Sequence, residues 1–434
     1  MIYPLCHIKH VTIVTLIASI LFFTPGVSMA EVSDPTLEKE AETKAVNIEE
    51  CIKIAIENNL QIAAARKGLG TAEADRIKAS LLFPSNPKVI SRVGERDGPD
   101  GARTTDYMVR LSQEFQVFGQ RRKRINVSNK LIERVKFEIS DVERNVIAKV
   151  KSNFYEALTA LEILKLREYI ESIFEKLCDA TRERYKAGAI SALELNSISI
   201  GYGQARQQLL VAKSNYQNSL LGLKLLLGKP RDEALSINGE LSYEKLQIDL
   251  EDILASAYKI RPDLKAVEFE KERASQEISL RKAERVPNPS LSGFISREER
   301  TDDIVGGFVA ISIPIWDRKQ SELKKARTAK GTASINVKKK QLQIQKEVET
   351  AYRTFMASKG SIAIYTDEII PQVDESLELN EISYKEGKVN FIGFLTVQKN
   401  LLETRAAYLN ALLDYSNAII NLEKVSGTKL IISD

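Results

Sequence analysis

Arg184-Tyr185-Lys186-Ala187-Gly188-Ala189 (RYKAGA) is echoed later in the chain by Tyr384-Lys385-Glu386-Gly387-Lys388 (YKEGK). At the shift that superposes the two Tyr-Lys-x-Gly turns, Arg206, Tyr216, Asn218 and Gly228 fall on Arg405, Tyr415, Asn417 and Gly427. Upstream the shift changes only slightly, and Asn86-Pro87 pairs with Asn288-Pro289. The chain therefore contains itself twice. Leading into the first turn, Gln120 to Ala187 holds neither Gly nor Pro. One helix over that run would be roughly 100 Å long. No globular core calls for such a length, so a tandem pair of giant helical hairpins is the feature to explain.

Residues 1–30 have the layout of a secretory signal peptide. Lys9 and His10 give a positive start, Val11 to Phe23 is apolar, and Ser28-Met29-Ala30 forms a small-residue cleavage site before Glu31. An anchor helix is the alternative, but the apolar run is shorter than the ~20 residues of a bilayer span. No Cys follows the cleavage site and Cys6 lies too early, so lipidation is not indicated. Cleavage removes His7 and His10, the only histidines, and leaves Met108 and Met356 as the only methionines. That excludes histidine acid–base catalysis and a histidine zinc site. No catalytic residue, cofactor or metal ligand is expected. An exported protein could pair Cys51 with Cys178, but they fall on different helices, and two unpaired thiols are expected.

Acids and bases are mixed along the chain, which carries 63 Lys and Arg against 59 Asp and Glu. The basic runs Arg121-Arg122-Lys123-Arg124 and Lys338-Lys339-Lys340 belong to helices rich in both signs. They read as solvated faces, with no nucleic-acid partner. After a polar leader (31–46), Asn47 and Glu50 form a capping-box pattern, and the second copy starts similarly at Asp249. Helices are expected to about Leu82 and about Arg285, the second interrupted at Pro262, which suits a first helical position.

After each Asn-Pro the hydrophobic period changes to two. Strands are expected at about 88–95 and 105–116, and again at about 290–297 and 304–315. Tyr107, Val109, Leu111 and Gln113 share one face, opposite Met108, Arg110 and Ser112. Val305, Val309, Ile311 and Ile313 share another, opposite Phe308, Ala310 and Ser312. Four strands cannot close a barrel when about eight is the usual minimum. Either the sheet is soluble, or several chains pool their strands.

The long first helix carries broken heptads. Ile125, Ile132, Ile139 and Val146 keep one frame, Val150, Ala157 and Leu164 a second, and Leu166, Ile170, Ile173 and Leu177 a third. Such slips unwind a supercoil locally and suit helices that pack on two neighbours in a curved wall. A bend is expected near Pro371. The tips are expected at about 184–195 and 383–394, where Gly188 and Gly387 close one helix and Ser191 and Asn390 cap the next. Ser191 with Glu194 reads as a capping box, and Ile190 with Leu195 and Val389 with Phe394 as staples. The charged flanks Arg184, Lys186, Glu386 and Lys388 point to surfaces built for presentation.

Helix, β-hairpin, long helix, tip and helix, given twice, resemble the TolC family of outer-membrane efflux ducts over nearly all of the mature chain. Ser312-Ile313-Pro314-Ile315-Trp316-Asp317-Arg318-Lys319-Gln320 is similar to a junction in the heavy-metal branch, the CzcC and CusC type. The resemblance implies a mainly α fold with a membrane β-barrel contribution. Two repeats (47–228 and 249–427) would flank a linker (229–248) and precede a short tail (428–434). It further implies a homotrimer whose twelve strands close one barrel in outer-membrane lipid, above a tunnel of twelve helical staves. Partners would be a periplasmic adaptor (a membrane fusion protein) and an inner-membrane pump, often of the proton-driven RND class. Arg184, Tyr185, Gly188, Ala189, Tyr384, Gly387 and Lys388 would form the docking tips, with Glu194, Tyr384 and Lys388 candidates for a gate. Gly393 and Thr396 stand where some members carry two Asp. The expected function is a passive exit duct for heavy-metal ions or drugs. A periplasmic coiled-coil adaptor or scaffold, or a type I secretion duct, is the alternative. An enzyme has no motif in its favour.

Overall fold

In the computed structural model the described residues are 45–99, 101–299 and 302–430. The signal peptide, nearly all of the leader and the last four residues lie outside them. Two short helices open each copy: α1 (Ile48–Asn58) and α2 (Leu60–Ser80), then α5 (Leu250–Ile260) and α6 (Pro262–Ala283). The intervening hairpin strands are β1 (Lys88–Asp97) with β2 (Arg103–Glu114), and β3 (Pro289–Glu298) with β4 (Asp302–Ile311). The first copy then runs through α3 (Gln120–Lys186) and α4 (Ala192–Leu227). The second runs through α7 (Gln320–Ile364), a π-helical turn (Tyr365–Ile369), α8 (Ile370–Lys385) and α9 (Phe391–Ser426).

Local chemistry sets these boundaries. Asn47 and Glu50 form a full capping box: Glu50 N donates to Asn47 Oδ1 at 2.9 Å, and Asn47 N to Glu50 Oε2 at 3.2 Å. Asp249 accepts from the backbone of Glu251 and Asp252 at the matching start. Near Pro371, where a bend is expected, the helix changes to a π turn. Pro371 has no N–H to give residue 367, and the ladder widens so that Ile370 N donates to Tyr365 O, five residues back. β4 stops at Ile311, short of the expected 315. Pro314 ends the ladder, and Ile315 N turns back to Ile313 O at 3.0 Å.

The helices pack as four staves. α3 lies between α2 and α4 on one side and α6 and α9 on the other, and α7 lies beyond α6 and α9. The frame slips in α3 follow this change of neighbours. Val146, Val150, Phe154 and Leu158 are buried with Ala55, Ile62, Leu223 and Leu227, around the level where α2 gives way to α4. A second core gathers Phe355, Ile344, Leu264, Tyr415 and Leu422. Leu241, in the linker, packs against both.

Helices α4 and α9 abut the helix pairs that open their repeats, and both junctions use the same device. Asn59, which separates α1 from α2, donates from Nδ2 to Leu226 O at 2.8 Å. Arg261, which separates α5 from α6, donates from Nη1 to Val425 O at 3.2 Å. Each buried side chain thus caps carbonyls that the end of a helix leaves unpaired. Gly228 permits the first close approach, since a Cβ there would lie 2.5 Å from Asn58 O. Arg261 is 2% exposed and also pairs with Asp263 and Glu347, both at 2.7 Å. Burial alone would raise the pKa of Asp263. The bond and charge of Arg261, with Arg144 and Lys340 nearby, instead hold it down at about 2, against an ordinary 3.8.

A depressed carboxylate pKa stabilises the fold above its unfolded value and ceases to do so as pH falls through the folded value. Asp263 is therefore expected to contribute about 2 kcal/mol above roughly pH 4, lost by roughly pH 2. Thermal melts of Asp263→Asn and the parent chain should differ most at neutral pH and converge below pH 4. A constant difference across that range contradicts the assignment.

Candidate functional site

Both tips close by one hydrogen-bond pattern. At the first, Gly188 adopts φ 71°, its N–H donates to Tyr185 O at 2.9 Å, and Ala189 N donates to Arg184 O at 2.9 Å. At the second, Gly387 adopts φ 72°, with Gly387 N to Tyr384 O at 3.0 Å and Lys388 N to Ser383 O at 2.9 Å. These paired bonds are a Schellman closure, which needs a left-handed residue at the glycine. Ser191 Oγ then accepts from Glu194 N at 3.2 Å, and Asn390 Oδ1 from Gly393 N at 2.8 Å.

The capping box expected at Ser191 is only half formed. Ser191 caps the helix, but the Glu194 carboxylate makes no return bond to Ser191 N and has no ion pair among the described residues. The Ser191 bond is complete without it, which leaves the half-buried carboxylate uncommitted. At the second tip Phe394 stacks on Tyr384, ring centroids 4.7 Å apart. The expected gate tyrosine is thereby packed against its own hairpin. Lys388 pairs with Glu386 at 2.5 Å and Lys186 with Glu183 at 2.7 Å, while Arg184, Tyr185 and Ala189 are exposed. Gly393 and Thr396 put no carboxylate on α9.

Just above the tips the two hairpins meet. Cys178, Ile198 and Leu395 form a small core, with Phe174, Tyr202 and Phe394 packed on it. Higher up, Arg167 on α3 grips Glu403 on α9 through two bonds of 2.8 and 2.9 Å and Gln208 on α4 at 3.0 Å. The Arg167 hydrogen bonds hold the Glu403 carboxyl below its usual range. The spacing of the chain gave no sign of this three-helix tie. Cys51 and Cys178 are both free and buried, and burial pushes the Cys51 thiol up to about 11, with Glu50 adding to the shift. Among the described residues no cluster of His, Cys, Asp and Glu could hold a metal ion.

The opposite end is a sheet with two chemically distinct faces. The strands run antiparallel in the order β1-β2-β3-β4, so the two hairpins join through β2 and β3, from Tyr107 opposite Arg297 to Glu114 opposite Ser290. The register places Val89, Val93, Tyr107, Val109, Leu111, Leu291, Ile295, Val305, Val309 and Ile311 on one face, all exposed. The other face is mixed: it carries Lys88, Arg92, Arg96 and Arg110, the acids Asp106, Glu114, Glu298 and Asp302, and Ser112, Ser292 and Ser296, together with Ile90, Met108, Phe294, Ile304 and Phe308. Trp316, between β4 and α7, is 86% exposed. β1 and β4 each leave one edge unpaired. Among the described residues, no helix is long and apolar enough to cross a membrane.

A sheet that exposes its apolar face, joined to paired helical hairpins with matched tips, is the architecture that comparison with known proteins identifies. The sequence profile of the outer membrane efflux proteins matches residues 51–229 and 253–428. The chain belongs to this family. Its members are channels, and the chain is not an enzyme. It is similar to the cobalt-zinc-cadmium resistance protein CzcC of Cupriavidus metallidurans, 23% identical over 94% of this chain and 97% of that one. It also resembles the toluene efflux pump outer membrane protein TtgI of Pseudomonas putida, 24% identical over 86% of this chain and 83% of that one. Solved structures share the fold. CusC superposes with TM-score 0.71 at 18% identity, covering 91% of this chain and 96% of that one. The open outer membrane channel MtrE of Neisseria gonorrhoeae superposes with TM-score 0.72 at 17% identity, covering 88% and 89%.

Valine at a left-handed φ costs about 1–2 kcal/mol. In Gly188→Val and Gly387→Val, limited trypsin digestion should therefore cut faster after Arg184, Lys186 or Lys388, while the melting temperature of the helical body is unchanged. Equal cleavage rates in parent and variants would show that neither closure is strained.

Proposed function

We propose that three copies of the chain pool their strands into one barrel and serve as the outer-membrane exit duct of a tripartite efflux assembly. One observation carries the reading: a four-stranded sheet with an exposed apolar face and two unpaired edges. In lipid each unpaired backbone group costs several kcal/mol, so such a sheet requires closure. Three copies of four strands give twelve, enough for a barrel. The staves would close the same way, with α2 and α4 of one copy against α7 and α8 of the next, the two flanks that face no neighbour within the chain.

The tips then lie at the periplasmic end. Their matched closures and exposed Arg184, Tyr185 and Ala189 support docking of a periplasmic adaptor joined to an inner-membrane pump of the RND class. Transport through the duct is passive, and its cargo would be heavy-metal ions or drugs, as the names of CzcC and TtgI say of those relatives. Gating falls to the tip groups Glu194, Tyr384 and Lys388, since α9 has no acidic ring.

Fractionation of cells producing the full chain should place it in the outer membrane as an oligomer of three that dissociates when the gel sample is heated. Light scattering that finds a well-folded monomer in detergent would sink the duct. For the gate, Glu194→Gln keeps the size and the Ser191 cap but removes the charge. It should raise single-channel conductance in planar bilayers. Unchanged conductance would place the constriction away from Glu194.

A further inference from the structure

Charges on the polar face of the sheet are sorted by position. At the turn end Arg96 sits among three carboxylates, Asp106 at 2.9 Å, Glu298 at 2.9 Å and Glu299 at 2.8 Å. On the apolar face at the same end, Arg103 pairs with Asp97 and Arg297 with Asp303. At the helix end Glu114 accepts from Asn288 Nδ2 at 2.6 Å. Between these ends the register leaves three charged residues on the polar face, Lys88, Arg92 and Arg110, and all are basic. None has an ion pair among the described residues.

Arg92 lies opposite Met108 and Arg110 opposite Ile90, so the two arginines are diagonal neighbours on adjacent strands. Like charges so placed repel. Asp106, the other diagonal neighbour of Arg92, is bonded to Arg96, and among the described residues no ion pair ties either arginine down. Arg110 is further constrained. Its guanidinium lies over the Phe308 ring at 4.7 Å, and its Nε is buried without an acceptor. Phe294, directly opposite Arg110 on β3, sits 6.3 Å from Phe308. Gly306 makes room for it, since a Cβ there would come within 2.7 Å of the Phe294 ring. Arg110 thus rests on an aromatic ring and donates from Nη2 to Met108 Sδ at 3.7 Å, with no carboxylate paired to it among the described residues.

We propose that the barrel section of the duct is an anion filter, in which Arg110 and Arg92, with Lys88, favour anionic cargo, aromatic carboxylates included. The proposal rests on the duct reading, which turns the polar face toward the lumen. Three copies would set nine cations without an ion pair among the described residues around the middle of one passage, three from each chain, between a turn end rich in acids (Asp106, Glu298 and Asp302) and Glu114 at the helix end. Rings of basic side chains select anions by the field they hold in a confined pore. Organic anions would meet an attraction there and free divalent metal ions a barrier, so of the two cargo classes proposed above the filter favours drugs over free metal ions.

The test is the reversal potential of the full-length protein in planar bilayers under a potassium chloride gradient, repeated with benzoate in place of chloride. The parent channel should favour chloride over potassium and pass benzoate. Arg92→Gln with Arg110→Gln should lower the chloride-to-potassium permeability ratio several-fold, while Arg110→Lys, which keeps the charge, should retain it. A parent channel that prefers potassium overturns the filter, whatever the variants do. So does an unchanged ratio in a double variant that still forms the heat-sensitive oligomer. Assembled parent protein with no conductance at all would instead count against the duct reading, and the filter falls with it.

Discussion

Backbone hydrogen bonding at the sheet edges is the constraint that organises this protein. A chain with four strands can pair three interfaces internally and must leave the outer edges of β1 and β4 open. In water those edges could be hydrated, but the exposed face beside them is dominated by Val, Leu and Ile. Neither the edges nor the face is satisfied within one copy. The helical part has the same incompleteness, with α3 enclosed on both sides while α2, α4 and α7 each keep an open flank. One copy is a segment of a wall.

Duplication supplies the wall, and the differences between copies show where each was adjusted. The junction residues Asn59 and Arg261 occupy matching positions and reach matching carbonyls, yet one is a neutral amide and the other a buried cation. The cation requires Asp263 and Glu347, so the second junction is an ion network where the first is three hydrogen bonds of one amide side chain. The first long stave, α3, runs unbroken for 67 residues. The second is relieved by a π turn ahead of Pro371, and Lys245 of the linker pairs with Asp367 in that turn at 3.1 Å. The two hairpins thus share closures at their tips but differ in backbone winding partway along.

Much of this was legible in the sequence because it is local. Period-two alternation located four strands, the absence of Gly and Pro defined α3, and glycine after Tyr-Lys-x marked both tips. Frame slips in α3 foretold a change of partners, though not which helices they were. The misses share a cause. The β2–β3 pairing, the Arg167 tie and the Asn59–Leu226 bond all join residues far apart in sequence, where no spacing rule reaches. Glu194 fits a capping box by spacing, yet its carboxylate stays out of the bond. Pattern specifies which groups could meet, and side-chain geometry decides whether they do.

Charge pairing separates structural from functional ions in this fold. Arg96, Arg167 and Arg261 each bridge different elements and each has its carboxylates in place. At Arg261 and Arg167, whose side chains are largely buried, removing the partner leaves a poorly solvated charge, while the more exposed Arg96 ties β1 to β2 and β3. Glu194, Arg92 and Arg110 lack any such partner among the described residues. They lie at the two ends of the molecule where cargo would enter and leave, rather than at the packed middle. An unneutralised charge destabilises the chain that carries it unless solvent or a ligand meets it. Arg92 is exposed and Glu194 and Arg110 are partly so, so solvent meets these charges in a single copy and leaves them available to what would pass along the wall, whereas the paired charges hold the wall itself.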